Sequence, residues 1–358
     1  MYDVKILLSG PGLIGRKHAE LIKQNEDCKL AAVVAPPSDR NAIFAMACGA
    51  PVFSSTEEAL NTVTVDAAII SSPNAFHYDQ AMACLSRQIP TLVEKPLSDR
   101  SEDAIRLVDA VEKTRTPMLV GHHRSYSPLT QIARDFLRSQ QFGQMVALQG
   151  TAIFYKPDQY FRDGPWRAQP GGGPILINLI HEIGLMRDFA GEIVTVQALR
   201  SSHARRFIVE DTVSIGLEFE NGALGTFMLS DAAVSWKSWE MTSGENPAYP
   251  HFPQSTCYHF AGSDGALDFP SMTAKTYRPG TEKSWWKPFE ELTLDVTPCD
   301  PLKCQLEHFV DVIRGQANPQ VSARDGYHNL RVVEAIKEAA QTGRQISLST
   351  EPRPTQEH

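Results

Sequence analysis

Val4-Lys5-Ile6-Leu7-Leu8-Ser9-Gly10-Pro11-Gly12-Leu13-Ile14-Gly15-Arg16-Lys17-His18-Ala19-Glu20-Leu21-Ile22 stands at the start of the chain. Val4 to Leu8 reads as a buried parallel strand, and Arg16 to Ile22 as the opening of a helix. The glycines fall in the turn between them. Gly10 allows the turn to be tight, Gly12 lets the backbone approach a pyrophosphate, and Gly15 lets the helix pack close to the strand. The pyrophosphate would rest on unpaired amides at the positive end of the helix dipole. A plain glycine-rich strand-to-helix turn is the blander reading. Position directly after a strand and before a helix favours nucleotide binding.

Reading outward, strand and helix alternate. Leu30 to Val34 is a second strand, Ala42 to Cys48 is helical and Val52-Phe53 is a short extended piece. Val65 to Ile70 is the next strand and ends at Ser71-Ser72-Pro73-Asn74. His77 to Ser86 is a helix, Thr91-Leu92-Val93 a strand leading into Glu94-Lys95-Pro96, Glu102 to Lys113 an amphipathic helix, and Met118 to Val120 the last strand. Repeated βα units of this length predict an α/β doubly wound parallel sheet, with the ligand at the carboxyl ends of its strands. The character changes after Gly121-His122-His123. Helices are expected over Pro128–Ser139, Pro174–Phe189, Leu302–Ile313 and Tyr327–Thr342. Alternating strands are expected over Met145–Thr151, Val213–Phe219 and Gly225–Leu229, the last two joined by an Asn221-Gly222 hairpin. Trp236 to Pro253 reads as a long aromatic- and proline-rich loop, and Thr350 to His358 as a frayed end. The expected division is residues 1–122 as the nucleotide-binding domain and 123–358 as a second, α+β domain with an open, mainly antiparallel sheet.

A chain of 358 residues accommodates two domains. Net charge of −8 argues against a nucleic-acid partner. No run approaches the length of a membrane-spanning helix, and the N-terminus enters a strand directly, so a cytoplasmic protein is expected. Cys28, Cys48, Cys84, Cys257, Cys299 and Cys304 contain no Cys-x-x-Cys pair, which points to buried free thiols rather than a disulfide framework or a metal site.

Two positions carry chemistry. Lys95 ends an apolar strand and precedes a proline that cannot continue it, so its backbone is constrained. Burial would lower its pKa and Glu94 would raise it. His181 follows Gly171-Gly172-Gly173-Pro174, with Pro174 suited to the first helical position. Asn178 and His181, three residues apart, share a helix face. A polar pair on an apolar helix either has partners in a core or opens onto a cavity. Histidine is the usual base for removing an alcohol proton.

Five motifs occur in one order: Gly10-x-Gly12-x-x-Gly15, Pro73-Asn74-x-x-His77, Glu94-Lys95-Pro96, Gly121-His122-x-Arg124, and the glycine turn leading to His181. The chain resembles, over essentially its whole length, the Gfo/Idh/MocA family of glucose–fructose oxidoreductase and inositol dehydrogenase. The resemblance implies a Rossmann domain, NAD or NADP in the cleft, and a homodimer or homotetramer built on the second domain's sheet. It implies that Lys95 hydrogen-bonds the reacting hydroxyl and His181 is the acid/base. Gly10, Gly12, Leu13, Ile14, Gly15, Ser72, Pro73, Asn74, His77 and Glu94 would line the cofactor, with Trp166 and Arg167 covering it. Many members carry an aspartate where this chain has Ile177, and Asn178 would serve as a neutral orienting group, with Asp211 a candidate acid. Ala35 stands where NAD-preferring members place an acid. Ser38 and Arg40 could therefore bind a 2′-phosphate, although Asp39 could hold ribose hydroxyls, which leaves the choice open with a lean to NADP.

The expected reaction moves hydride between nicotinamide and a secondary alcohol of a sugar, cyclitol or carboxylated cyclic diol. Arg124, Lys156, Tyr160 and Arg162 are candidate substrate contacts, suited to a carboxylate as well as hydroxyls. Alternatives are a non-catalytic nucleotide-binding regulator, or a hydrolase or epimerase with tightly bound NAD.

Overall fold

The computed structural model describes residues 3–278 and 280–348. The chain divides into two compact units. One runs to Ser127 and adds Cys299–Arg331. The other takes Pro128–Pro298 and resumes at Val332. The border near residue 122 expected from sequence lies close to the first of these crossings. The return of the chain to the first unit is a feature that a local pattern does not reveal.

The first unit holds strands β1 (Val4–Ser9), β2 (Cys28–Val34), β3 (Val52–Phe53), β4 (Ala67–Ile70), β5 (Thr91–Glu94) and β6 (Met118–Gly121). Their spatial order is β3-β2-β1-β4-β5-β6, with every pair parallel. Strands buried on both faces need continuous apolar runs, and Ala67 to Ile70 are indeed wholly buried. Helices α1 (Leu13–Gln24), α2 (Asp39–Ala47), α3 (Thr56–Thr62), α4 (His77–Leu85) and α5 (Ser101–Thr114) follow the first five strands. Ser38 and Ser55 cap α2 and α3 by accepting from the amides of Asn41 and Glu58. The strand order reverses between β1 and β4. Such a switch point is where open α/β sheets bind ligands, at the strands' carboxyl ends.

The second unit opens with α6 (Pro128–Leu137), β7 (Met145–Ile153) and α7 (Asp158–Asp163). A π-helical turn over Ile175–Leu179 leads into α8 (Ile180–Ala190). Strands β8 (Ile193–Ser201), β9 (Thr212–Phe219) and β10 (Leu224–Ser230), the short α9 (Trp239–Thr242), and strands β11 (Tyr258–Gly262), β12 (Gly265–Phe269), β13 (Thr273–Thr276) and β14 (Glu290–Thr293) come next. α10 (Pro301–Ile313) belongs to the first unit. α11 (Ala323–Thr342) begins there and ends in the second, where β15 (Ile346–Ser347) closes the sheet. Nine strands are ordered β14-β13-β12-β11-β7-β10-β9-β8-β15, antiparallel except for the parallel pair β7–β10. The Asn221-Gly222 turn forms with Gly222 at φ +83° and pairs Glu218 with Leu224. Alternation sends Val213, Ile215, Leu217 and Phe219 inward, where they meet Ile183, Met186 and Phe189 of α8 in one core.

The helix expected over Pro174–Phe189 is thus α-helical only from Ile180, and the loop expected over Trp236–Pro253 contains α9, anchored by buried Trp239 against Phe269 at 5.5 Å. The expectation for Thr350 to His358 lies outside the described residues. No helix among the described residues is long and apolar enough to cross a membrane.

Candidate active site

The glycine turn separates structural glycines from a potentially ligand-facing one. A Cβ at Gly10, which has φ +83°, would lie 2.4 Å from the Ser72 backbone, and one at Gly15 would lie 2.1 Å from the Gly10 carbonyl. Both are required by packing. At Gly12 a Cβ would meet nothing within 4 Å, and φ is an ordinary −72°. Neither backbone nor neighbours demand glycine there. Leu13, the next residue, is 95% exposed, and Ile14 is half-buried. Open space over the first turn of a 12-residue helix, at a sheet's switch point, suits a pyrophosphate.

Around this turn Ser71 Oγ donates to the carbonyls of Ser9 and Gly10, both at 2.9 Å, and Gln80 Oε1 accepts from Ser9 and Ser72. His77 is buried, its Nδ1 lying 2.8 Å from the Pro96 carbonyl and its Nε2 2.9 Å from that of Ser72. Both ring nitrogens are therefore committed to backbone, and His77 fastens the Ser72 turn to the Glu94-Lys95-Pro96 turn. His77, expected to line the cofactor, thus also fixes the backbone of the Ser72 turn. Pro73 and Asn74 are exposed beside it. Ser38 caps α2, and Arg40 in that helix's first turn is exposed. Arg16 donates from Nε to the Pro11 carbonyl at 3.1 Å and lies 4.4 Å from the Phe44 ring centroid, its buried Nη2 making no hydrogen bond. A cation with spare donors beside the turn fits an anionic nucleotide.

Glu94 explains two motifs at once. Its carboxylate is buried and lies 2.8 Å from His18 Nε2. Glu94 pairs with Gly121 across β5–β6, and a Cβ at Gly121 would come within 2.8 Å of that carboxyl carbon. Burial pushes the Glu94 pKa up, yet the His18 hydrogen bond and charge, with His123 and Lys95, outweigh it and hold the group below its ordinary value. Lys95 is half-buried. Its pKa is lowered, first by desolvation and further by Arg124, against the opposing Glu94 carboxylate. Arg124 itself is buried within this first unit.

The second unit presents its own polar cluster. Gly173, at φ +83°, leaves room for Glu210, whose Oε1 accepts from the Ile175 amide at 3.1 Å. The glycine turn is held there, and a π-helical turn carries Asn178. Such turns are frequent at functional sites. Lys156, 6% exposed, donates from Nζ to Asn178 Oδ1 at 2.6 Å. It lies 3.8 Å from Asp231 Oδ2 and 4.9 Å from the Tyr160 ring centroid. Burial pulls its pKa down to about 8, while Asp231 and Glu240 oppose and Arg205 and Arg167 assist. Arg205 holds Asp231 at 2.9 Å, and Arg167 stacks on Tyr160 at 3.9 Å. His181, half-buried, stands three residues beyond Asn178.

Of the expected substrate contacts, Asn178, Lys156 and Tyr160 are brought together, and Arg167, expected over the cofactor, joins them by stacking on Tyr160. Arg162 is not: it is exposed on α7 and bonds Gln159. Trp166 is exposed in a 3₁₀ turn. Asp211 is buried and accepts from the Arg205 amide at 2.8 Å. Sequence reading missed His18, Gln80, Asp231, Arg205 and Glu210, because each meets its partner only through the fold. Among the described residues, no group of histidine, cysteine or carboxylate side chains could hold a metal ion.

A switch-point glycine turn with open space for a pyrophosphate, and a lysine at the sheet's carboxyl edge, fit a nicotinamide-dinucleotide oxidoreductase. The chain belongs to the GFO/IDH/MocA family. Residues 4–122 match its oxidoreductase NAD-binding Rossmann fold and residues 130–267 its C-terminal domain. The chain is similar to 1,5-anhydro-D-fructose reductase of Ensifer adhaerens, 24% identical over 90% of this chain and 92% of the relative. It is also similar to D-xylose 1-dehydrogenase (NADP(+)) 2 of Haloferax volcanii, 23% identical over 95% of this chain and 98% of the relative. The WlbA dehydrogenase of Bordetella pertussis, crystallised with NADH and UDP-GlcNAcA, shares the fold at a TM-score of 0.77 and 21% identity, covering 98% of this chain and all of that one.

Proposed function

We propose that this oxidoreductase acts on a secondary alcohol of a sugar, a cyclitol or a carboxylated cyclic diol, with Lys95 and His181 as the two residues that handle the reacting hydroxyl. The observation that carries the reading is Lys95, held at a strand's end beside the buried Glu94–His18 pair. Bound NAD(P) supplies the hydride acceptor or donor. His181 takes the hydroxyl proton on its imidazole in the oxidative direction and returns it in the reductive one. Lys95 donates to the same oxygen as negative charge develops. A preorganised donor of this kind is worth about 3–4 kcal/mol of barrier.

Ile177 stands where many relatives carry a carboxylate, and Asn178, one residue on, serves as a neutral orienting group. Its Oδ1 is occupied by Lys156, so the end left for substrate is the donating amide nitrogen. With Lys156 as a cation below about pH 8, the cluster favours an electron-rich group, a carboxylate above all. Gly12, Leu13, Ile14, Arg16, Ser38 and Arg40 hold the dinucleotide in this reading. The lack of an acid at Ala35 favours NADP. The same reading takes the second unit's sheet as the surface for a homodimer or homotetramer.

The test is a screen of sugars, inositols and cyclic diol acids against NAD and NADP in parallel, followed by absorbance of the reduced cofactor. Turnover with at least one such alcohol is expected, and His181→Ala should lower its rate by about 10²–10⁴. A His181→Ala enzyme with unchanged rate and pH profile would remove His181 from the chemistry.

A further inference from the structure

The chain re-enters the first unit at Cys299. Asp300 then caps α10, its Oδ1 accepting from the Leu302 amide at 2.9 Å. Cys299 stands just before that cap, and Cys304 is the fourth helical residue. Side chains at these two positions meet across a helix start, usually as an apolar staple. Here both are thiols, and the two Sγ atoms lie 2.6 Å apart. That is inside non-bonded contact and not far beyond the ~2.05 Å of a disulfide. Both residues are partly accessible, whereas Cys28, Cys84 and Cys257 are buried.

We propose that Cys299 and Cys304 form a redox-modifiable dithiol, which a low-molecular-weight disulfide converts to an intramolecular bond across the first turn of α10. The Cys304 thiol is pushed up to about 12, chiefly by burial and then by Cys299, so Cys299 attacks first. Its thiolate displaces one glutathione thiol from oxidised glutathione and forms a mixed disulfide. Cys304 then loses its proton, attacks Cys299 Sγ and expels the second glutathione. Two protein thiols are oxidised, and one glutathione disulfide is reduced to two thiols. The bond would fix the start of a helix whose Leu306, Phe309 and Val310 share a core with Ala19, Leu21 and Ile22 of α1. Asp300 lies 3.8 Å from Lys17 of that same α1. The modification is therefore made against the helix that begins at the dinucleotide turn.

The reduced full-length protein should be incubated with oxidised glutathione, alkylated, digested with trypsin and weighed. Cleavage after Lys303 puts the two cysteines in separate peptides, so only a disulfide keeps them together. The expected result is an intact mass lower by two hydrogens, one linked peptide pair, and reversal by dithiothreitol. Cys304→Ser should stop at a stable glutathione adduct on Cys299, and Cys299→Ser should react far more slowly. Two alkylated thiols in the wild type, or glutathione adducts that never resolve, would overturn the proposal.

Discussion

Gly12 and Gly10 stand two residues apart and make opposite predictions. At Gly12, φ is −72° and a Cβ meets nothing within 4 Å, so Gly12→Val should change the stability of the cofactor-free protein by no more than ~0.5 kcal/mol. The added isopropyl group would instead fill the space proposed for the pyrophosphate. Losing one or two hydrogen bonds to a charged group costs ~1.5–3 kcal/mol each, so the dissociation constant should rise roughly 10- to 10⁴-fold. Gly10→Ala combines φ +83° with a Cβ 2.4 Å from the Ser72 backbone. It should destabilise the fold itself by ~1–3 kcal/mol or more. The assays are urea denaturation without cofactor, and calorimetric titration with NADH and NADPH. Unchanged affinity in a stable Gly12→Val protein would refute the placement of the pyrophosphate. A marked loss of stability in that variant would refute the claim that the space is open.

Lys95→Ala should abolish turnover while leaving cofactor affinity within a modest factor, read by steady-state kinetics beside calorimetry; retention of most of the wild-type rate would exclude Lys95 from the reacting oxygen. Burial pulls the Lys156 pKa down from its ordinary 10.5 to about 8. The KM for a carboxylated substrate should therefore climb as pH passes about 8 and the cation is lost, and Lys156→Met should raise KM below that pH and erase the climb. Because the unfolded chain keeps this proton to higher pH, the same shift makes stability rise between about 8 and 10.5. His18→Leu leaves the Glu94 carboxylate buried without its hydrogen-bond partner and should cost ~3–5 kcal/mol at neutral pH, measured by urea denaturation. Glu94 sits below its ordinary value of 4.5, so its contribution is present above that value and lost as pH falls through the lower folded pKa. The variant should lose part of this acid sensitivity, and an unchanged acid limb would sink the assignment.

What was legible in the sequence follows from how far each signal travels along the chain. The strand, glycine turn and helix of Val4 to Gln24 are local, so their positions were readable. The β9–β10 hairpin was readable for the same reason, through Asn221-Gly222 and flanking alternation. The π-helical turn over Ile175–Leu179 was not, and the contact that satisfies its first amide comes from Glu210, 35 residues on. β11 to β14 are only four or five residues long and, unlike the equally short β4 to β6, do not fall in a regular strand–helix alternation that would mark them.

The site divides along the same line. Glu94, Lys95 and Gly121 were visible as motifs. The reason the motif needs glycine at 121, room for the Glu94 carboxyl, depends on a β5–β6 register that no local pattern specifies. Asn178 is the sharper case. In sequence it stood out as a departure, an amide beside the position where a carboxylate is usual. In the structure its Oδ1 meets a buried lysine. A carboxylate at this contact would form an ion pair with Lys156 and hold its pKa up. An amide accepts the same hydrogen bond without adding a second carboxylate to Asp231, which lies 3.8 Å from the same ammonium. The pH dependence of KM, compared between the wild type and Lys156→Met, measures how far that ammonium charge reaches a ligand.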